Sequence, residues 1–168
     1  LQGARDMIAE RVSENEQARN TVRKLFQESA FISSRVLTTK KDSEDAQKYR
    51  DYFEFKEPLS QSPSHRILAI RRGEKEGFLI MEITVEKEQA TDLLKEIFIK
   101  ADNAASAEVA TAVEDSFNRL LKFSIETEFR MSSKLKADEE AIRVFAENLR
   151  QLLLASPLGQ KNILAIDP

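Results

Sequence analysis

Cysteine is absent from the 168 residues of the chain, and histidine occurs once, as His65. The lack of cysteine excludes disulfides, zinc-thiolate sites and thiol catalysis, and it fits a reducing compartment. One histidine leaves little room for a histidine-based metal site. We expect a cytoplasmic protein that has no cofactor, no resident metal ion and no small-molecule substrate.

Long apolar runs are also missing. No stretch reaches the roughly 18 consecutive apolar residues that a membrane-spanning helix requires. The charged residues Arg5, Asp6, Glu10 and Arg11 interrupt the start of the chain, where a signal peptide would be apolar. We expect neither a membrane partner nor a secretory signal.

Net charge is small, at -3, and it is unevenly distributed. Residues 1–84 carry 15 basic and 14 acidic side chains, whereas residues 85–168 carry 11 and 15. A global field that attracts nucleic acid is therefore not expected, and an anionic partner should meet a local patch in the first half.

Apolar residues recur at helical spacing in the first quarter of the chain. The positions of Ala18, Val22 and Leu25 predict an amphipathic helix over about 14–29, with another helix before it. A further helix is expected near 43–53, with Ser43 as its N-cap.

From residue 88 onward, three apolar stripes predict three helices. The second stripe is expected to extend to Leu135, which makes a helix of about 30 residues. Asp138 should cap the third helix. The apolar face of that third helix carries Ile142, Phe145, Leu149, Leu152 and Leu153. The simplest interpretation of all these stripes is packing into the core.

Two segments favour β-strands, residues 32–37 and residues 78–85. They can pair antiparallel, because the intervening helices allow the chain to return. The fold class expected is therefore mainly α, a multi-helix bundle with a small two-stranded β element.

The stretch "YRDYFEFKEPLSQSPSHRILAIRRGEKEG", residues 49–77, concentrates aromatic, basic and turn-forming residues. Ser62 as N-cap and Pro63 at the first helical position predict a helix that ends near Gly73 or Gly77. A β-hairpin with the loop "GEKEG" is the alternative. The helix is favoured, because "ILAI" lacks the alternation of a half-buried strand.

Three stretches of this chain, together with the helical spacing between them, resemble the bacterial Tex proteins: "LQGARDMIAE", "KYRDYFEFKEPLSQSPSHRILAIRRGEKEG" and "PLGQKNILAIDP". These are transcription accessory proteins that share a core with a eukaryotic transcription-elongation factor. The resemblance implies that residues 1–157 are the helical central region. It also implies that residues 158–168 begin a YqgF domain of RNase H-like fold, so the chain is expected to be an excerpt.

The end of the chain contains an aspartate, Asp167, that is the main candidate for a catalytic role. Residues 163–166 read as a buried strand, the first strand of the RNase H-like domain, with Asp167 at its tip. In nucleases of that fold, an aspartate on the first strand helps to hold divalent metal. Metal-dependent cleavage needs several converging carboxylates, and this chain offers no partners for Asp167. We therefore expect no enzymatic activity and assign no catalytic residue.

The basic side chains of residues 49–77 allow two interpretations. In the first, Arg66, Arg72 and Lys75 form a phosphate-binding edge beside aromatic residues, with Lys40 and Lys41 nearby. In the second, which is favoured, the segment joins elements of the fold. The structural residues of this second interpretation are Arg71, His65, Tyr49 and Phe53.

Arg71 falls within the apolar arc of the predicted helix, so it should need a carboxylate partner. Asp51, Glu54 and Glu57 are near enough in sequence to supply one. His65 lacks a positioned nucleophile or carboxylate in the sequence pattern, so it is not assigned as a catalytic base.

These observations favour a helical scaffold that orients nucleic-acid-binding modules, among which the Tex resemblance implies an S1 domain outside this chain. In the longer protein, the partner is RNA or DNA, and this chain alone should bind it weakly. Two alternatives stay open: part of a metal-dependent nuclease that the missing domain completes, and a docking region for the transcription machinery.

Overall fold

The computed structural model describes residues 1–101, 103–157 and 159–166. It confirms a mainly α fold with a small antiparallel sheet. The α-helices are α1 Gln2–Glu14, α2 Glu16–Ser29, α3 Ser64–Lys75, α4 Lys87–Phe98, α5 Ala104–Ser116 and α6 Lys122–Leu153. The strands are β1 Phe31–Val36, β2 Glu54–Pro58 and β3 Leu79–Thr84. Short 3-10 helices cover Thr38–Lys40, Glu44–Tyr52 and Leu59–Gln61, and a π-helical turn, Phe117–Leu121, joins α5 to α6.

The sheet has three strands in the order β2-β1-β3, all antiparallel to their neighbours. The predicted pairing of β1 with β3 is confirmed, with Ile32 opposite Ile83. The third strand, β2, extends the two-stranded element that the sequence suggested. Its sequence "EFKEP" is rich in charge and ends in Pro58, which suits an edge strand because proline cannot donate to a ladder.

Helix α3 begins and ends at residues that its sequence only partly predicted. Pro63, not Ser62, occupies the N-cap, and the Ser62 hydroxyl is buried without a hydrogen-bond partner in the described part of the chain. The helix ends at Lys75 with Glu76 as its C-cap, and Gly77 follows with a φ of 77° that only glycine adopts readily. Phe78 N donates to the carbonyl of Gly73 and Gly77 N to that of Glu74, at 2.9 and 3.0 Å, which is the Schellman arrangement.

The core lies between one face of the sheet and the helices around it. On β3 the side chains of Leu79, Met81 and Ile83 are buried and alternate with more exposed residues. Helices α1 and α5 pack against each other, and the Ser116 hydroxyl donates to the carbonyl of Ala9 at 2.7 Å. The largest fully buried side chains include Phe26, Phe117, Ile32, Ile70 and Leu94.

Helix α6 differs most from the sequence-based prediction. It continues through Asp138, which does not cap a new helix: its carboxylate accepts a bond from Lys134, one turn earlier. Beyond Ala141, every side chain of α6 is exposed. The predicted core stripe is therefore at the surface, with Ile142 68%, Phe145 67% and Leu152 73% exposed. At 1.5 Å per residue the helix is about 48 Å long, so its second half extends past the core.

Two smaller expectations also change. The helix expected near 43–53 is a 3-10 helix, Glu44–Tyr52, and Ser43 precedes it without a side-chain capping bond. The strand expected over 163–166 is absent, because a single apolar segment has no neighbouring strand to satisfy its backbone. Asp167 lies outside the described residues. Within the described part of the chain, no helix is long and apolar enough to cross a bilayer.

Candidate nucleic-acid interface

The predicted basic edge is divided between opposite faces of α3. Nine residues separate Arg66 from Lys75, which places them roughly 180° apart on a helix of 3.6 residues per turn. Arg66 turns toward β2, where its Nη1 lies 2.7 Å from Oε2 of Glu57. Its charge is therefore compensated within the fold, and it forms no common edge with Lys75.

Arg72 belongs to a cluster centred on Glu76, at the C-terminal end of α3. Lys48 Nζ lies 2.6 Å from one carboxylate oxygen, and Arg72 Nε lies 2.9 Å from the other. Hydrogen bonds from Lys48 and Arg72, and the neighbouring Tyr49 hydroxyl, lower the pKa of Glu76 to about 2. Glu76 thus stays ionised and holds the 3-10 helix Glu44–Tyr52 against α3.

Lys75, Lys40 and Lys41 are exposed, and none forms an ion pair within the described residues. Lys75 lies in the last turn of α3, where a cation also complements the helix dipole. Lys40 ends the short 3-10 helix Thr38–Lys40, and Lys41 follows it. These three lysines are the part of the predicted edge whose charge remains available to a phosphate.

The aromatic residues beside the predicted edge are packed inward. Tyr49 is 5% exposed, and its ring centroid lies 5.9 Å from that of Phe78. Burial and the adjacent Glu76 carboxylate raise the pKa of Tyr49. Tyr52 packs edge-on against Phe55, and Phe53 is half-buried against the core. These rings stabilise the fold, so they offer no platform on which bases could stack.

Arg71 and His65 have different surroundings from those expected. Arg71 Nη1 donates to the carbonyl oxygen of Arg130 at 2.9 Å, and the guanidinium forms no ion pair within the described residues. The expected partner Glu57 binds Arg66 instead. Burial, together with the nearby charge of Arg130, lowers the pKa of Arg71. His65 is exposed near the start of α3 and makes no side-chain hydrogen bond within the described residues.

Sequence reasoning missed two side chains of α6 that satisfy the free edge of β3. Arg130 Nη1 donates to the carbonyl oxygen of Met81 at 2.5 Å, and Glu126 Oε1 accepts from Ile83 N at 3.1 Å. An unpaired strand edge would otherwise present these groups to another chain. The spacing of four residues between Glu126 and Arg130 is a visible signal of a helical ion pair. It does not reveal the strand that the pair contacts.

A second ion-pair cluster joins α2 to α6. Arg23 Nε lies 2.7 Å and Arg19 Nη2 2.9 Å from the two oxygens of Glu128. The hydrogen bond from Arg23, followed by that from Arg19, lowers the pKa of Glu128. Arg19 also donates to the Ser124 hydroxyl at 2.8 Å. Several arginines in the first half of the chain are therefore bound to carboxylates of the same fold.

Metal-ligand geometry is absent from the described part of the chain. No group of three or more histidine, aspartate or glutamate side chains lies close enough together there to hold a metal ion. The candidate interface is therefore a set of cations on helical segments. Some of these cations are bound to carboxylates, and others remain available to a phosphate.

Comparison with known proteins gives matches along the whole chain. The family model described as Tex central region-like matches residues 1–145. Protein tex of Bordetella pertussis is 34% identical over the whole chain, and Transcriptional accessory protein Tex of Neisseria gonorrhoeae is 31% identical, also over the whole chain. S1 RNA-binding domain-containing protein 1 of Homo sapiens is 27% identical over 99% of the chain. The chain spans 23% of each bacterial relative and 18% of the human one.

Proposed function

The chain belongs to the Tex family of transcription accessory proteins, and from this premise we propose that it is the helical scaffold of a longer protein. In that protein, it joins and orients modules that bind nucleic acid, and RNA contacts lie mainly outside this region. The observation that carries the proposal is the second half of α6, an exposed helix with an apolar stripe.

The stripe supports a scaffold because exposed apolar surface of this kind marks an interaction site. Ile142, Phe145 and Leu152 are each about two-thirds exposed or more. Relatives that are about four times as long supply further chain that can cover them. We propose that another module of the same longer protein packs on this stripe, which we call the α6 arm, residues 142–153.

Nucleic-acid binding through other modules is supported by the charges of this chain. Arg66, Arg72, Arg19 and Arg23 are bound to carboxylates, so these four arginines are less available to neutralise phosphates. Affinity for a phosphate backbone grows with the number of neutralised phosphates. The human relative is named for an S1 RNA-binding domain. We propose that such a module, not this scaffold, carries most of the affinity.

Two further assignments belong to the same proposal. We propose that residues 158–168 begin the next domain, of the YqgF type, and that this region itself catalyses no reaction. A docking role toward the transcription machinery is the second candidate function, and the exposed α6 arm is the observation that favours it. The two candidates differ in what covers the arm: a module of the same protein, or another protein.

The test is amide hydrogen exchange of the α6 arm in this chain and in the full-length protein. We expect slow exchange over 142–153 in the full-length protein and fast exchange in this chain alone. Replacing Phe145 and Leu152 by serine in the full-length protein should restore fast exchange. The exposed pair Arg143 and Glu147, replaced by glutamine, is the matched control on the polar side.

Equal exchange in the two proteins would contradict packing by a module of the same polypeptide. It would favour the docking candidate if the arm became protected only when the transcription machinery was added. RNA affinity is the second readout. This chain should bind single-stranded RNA far more weakly than the full-length protein, and equal affinity would contradict the scaffold assignment.

A further inference from the structure

Arg71 is unusual among the arginines of this fold. Its side chain is partly buried between α3 and α6, yet it forms no ion pair within the described residues. Its one side-chain hydrogen bond in the described part of the chain goes to the carbonyl oxygen of Arg130. Because a guanidinium carries five N–H donors, most of the donors of Arg71 are left for another acceptor.

A surface cavity of about 660 Å³ opens beside this guanidinium. Four cations contribute to its lining, Arg71, Arg72, Lys75 and Lys134, against the two carboxylates of Glu74 and Glu76. Arg71 and Lys75 are one turn apart on α3, so their side chains are neighbours. Lys134 reaches the cavity from α6.

The carboxylates of the cavity are already committed to other cations. Both oxygens of Glu74 accept from Arg130 Nη2, at 2.5 and 2.7 Å. Glu76 is held by Lys48 and Arg72. Asp138, which also lies near Arg71, accepts from Lys134. Arg71 and Lys75 therefore keep positive charge that no acidic side chain of the described fold binds directly.

We propose that Arg71, Lys75 and Lys134 form a binding site for a single phosphate group. Arginine suits this ligand because its planar donors match two phosphate oxygens at once, and lysines add point charges beside it. Burial, followed by repulsion from Arg130, lowers the pKa of Arg71. An anion in the cavity would offset that repulsion. The phosphate belongs either to a nucleic-acid backbone or to a free ion. The site does not depend on the scaffold proposal.

The experiment follows the guanidinium Nε–H resonances of the intact chain by NMR during three titrations. The probes are inorganic phosphate, a short single-stranded RNA, and an acidic peptide of matched charge. We expect the Arg71 resonance to shift and saturate with phosphate and with RNA. A tighter midpoint for RNA identifies the nucleic-acid backbone as the source, and equal midpoints identify a free phosphate.

Three variants and one control decide the assignment. Arg71→Gln, Lys75→Gln and Lys134→Gln should each weaken phosphate binding by at least about fivefold, because each removes a charge-assisted contact. Lys41, like Lys75, is exposed and forms no ion pair within the described residues, but it lies outside the cavity, so Lys41→Gln should leave phosphate binding unchanged. Lys75→Gln and Lys134→Gln change exposed side chains, so they keep the test decisive if Arg71→Gln fails to fold.

Three results would overturn the proposal. The first is an Arg71 resonance that does not move with phosphate or RNA. The second is equal weakening by Lys41→Gln and by the cavity variants, which would mean diffuse charge and no site. The third is a response to the acidic peptide alone, which would make the cavity a protein contact.

Discussion

Arg130 Nη2 lies 2.5 and 2.7 Å from the two carboxylate oxygens of Glu74, although 56 residues separate them in the chain. The same guanidinium donates through Nη1 to the carbonyl of Met81. One side chain of α6 thus fixes both α3 and the free edge of β3. Both partners are only partly exposed, Arg130 at 25% and Glu74 at 29% of the side chain.

Replacing Arg130 by alanine should lower the free energy of unfolding by roughly 2–3 kcal/mol. The substitution leaves the half-buried carboxylate of Glu74 and the carbonyl of Met81 without their hydrogen-bond donor. The control is Arg143→Ala, which removes an exposed ion pair on the same helix and should cost about 0–1 kcal/mol. Urea unfolding measures both. Equal midpoints for the two variants would contradict the role given to Arg130.

The sequence predicted the elements whose signals are local. The spacing of Ala18, Val22 and Leu25 predicted a helix whose start lies within two residues of the observed start of α2. The Ser-Pro start and Gly77 indicated α3 against a hairpin, and the pairing of β1 with β3 followed from two β-prone segments. For α2 and α3 a short pattern was enough, because the backbone hydrogen bonds of a helix join residues that are close in sequence.

What the sequence did not reveal depends on distant contacts. Strand β2 has a weak β pattern, and it forms because β1 offers it an unpaired edge. Asp138 looks like a cap, but helix α6 continues because Ala137 packs in the core and Lys134 binds the aspartate. Arg71 was expected to bind Asp51, Glu54 or Glu57, yet it donates to the carbonyl oxygen of Arg130, and Glu57 binds Arg66.

Gly73 and Gly3 should respond to alanine with opposite signs. A Cβ at Gly73 would lie 2.7 Å from Cδ1 of Leu79 and 3.2 Å from Tyr49, both buried. Overpacking of this kind costs typically 1–3 kcal/mol, more than the gain in helix propensity of about 1 kcal/mol. Gly73→Ala should therefore destabilise the protein.

A methyl group added at Gly3 in α1 would approach no side chain or other element of the described fold within 4 Å, so Gly3→Ala should stabilise the protein by a few tenths to about 1 kcal/mol. Thermal unfolding of both variants is the measurement. If both substitutions raised the melting temperature, α3 would not be packed closely against Leu79 and Tyr49.

The Glu76 cluster predicts a specific response to acid. The pKa of Glu76 is about 2 in the folded protein, below its usual value of 4.5. A lowered folded pKa contributes stability above the unfolded pKa and loses it as pH falls through the folded pKa. We therefore expect Glu76→Gln to be less stable than wild type at pH 7, with a difference that shrinks from about pH 4.5 to 2.

The control for this titration is Glu96→Gln. Glu96 is exposed on α4 and forms no ion pair within the described residues. Its substitution should leave the pH dependence of stability parallel to that of wild type. Parallel curves for Glu76→Gln and wild type would show that Lys48 and Arg72 do not hold the carboxylate in solution.

The last prediction concerns hydrolysis. We expect the purified chain to cleave neither RNA nor DNA, with or without magnesium or manganese, because metal-assisted cleavage needs several carboxylates that converge on the ions. The partly exposed acidic side chains Glu74, Glu76 and Glu128 each bind arginine or lysine instead. The measurement is a gel assay with labelled single-stranded and duplex substrates. Metal-dependent cleavage that Asp167→Asn abolished would replace the scaffold proposal with an enzymatic one, and cleavage that survived this substitution would point to a contaminating nuclease.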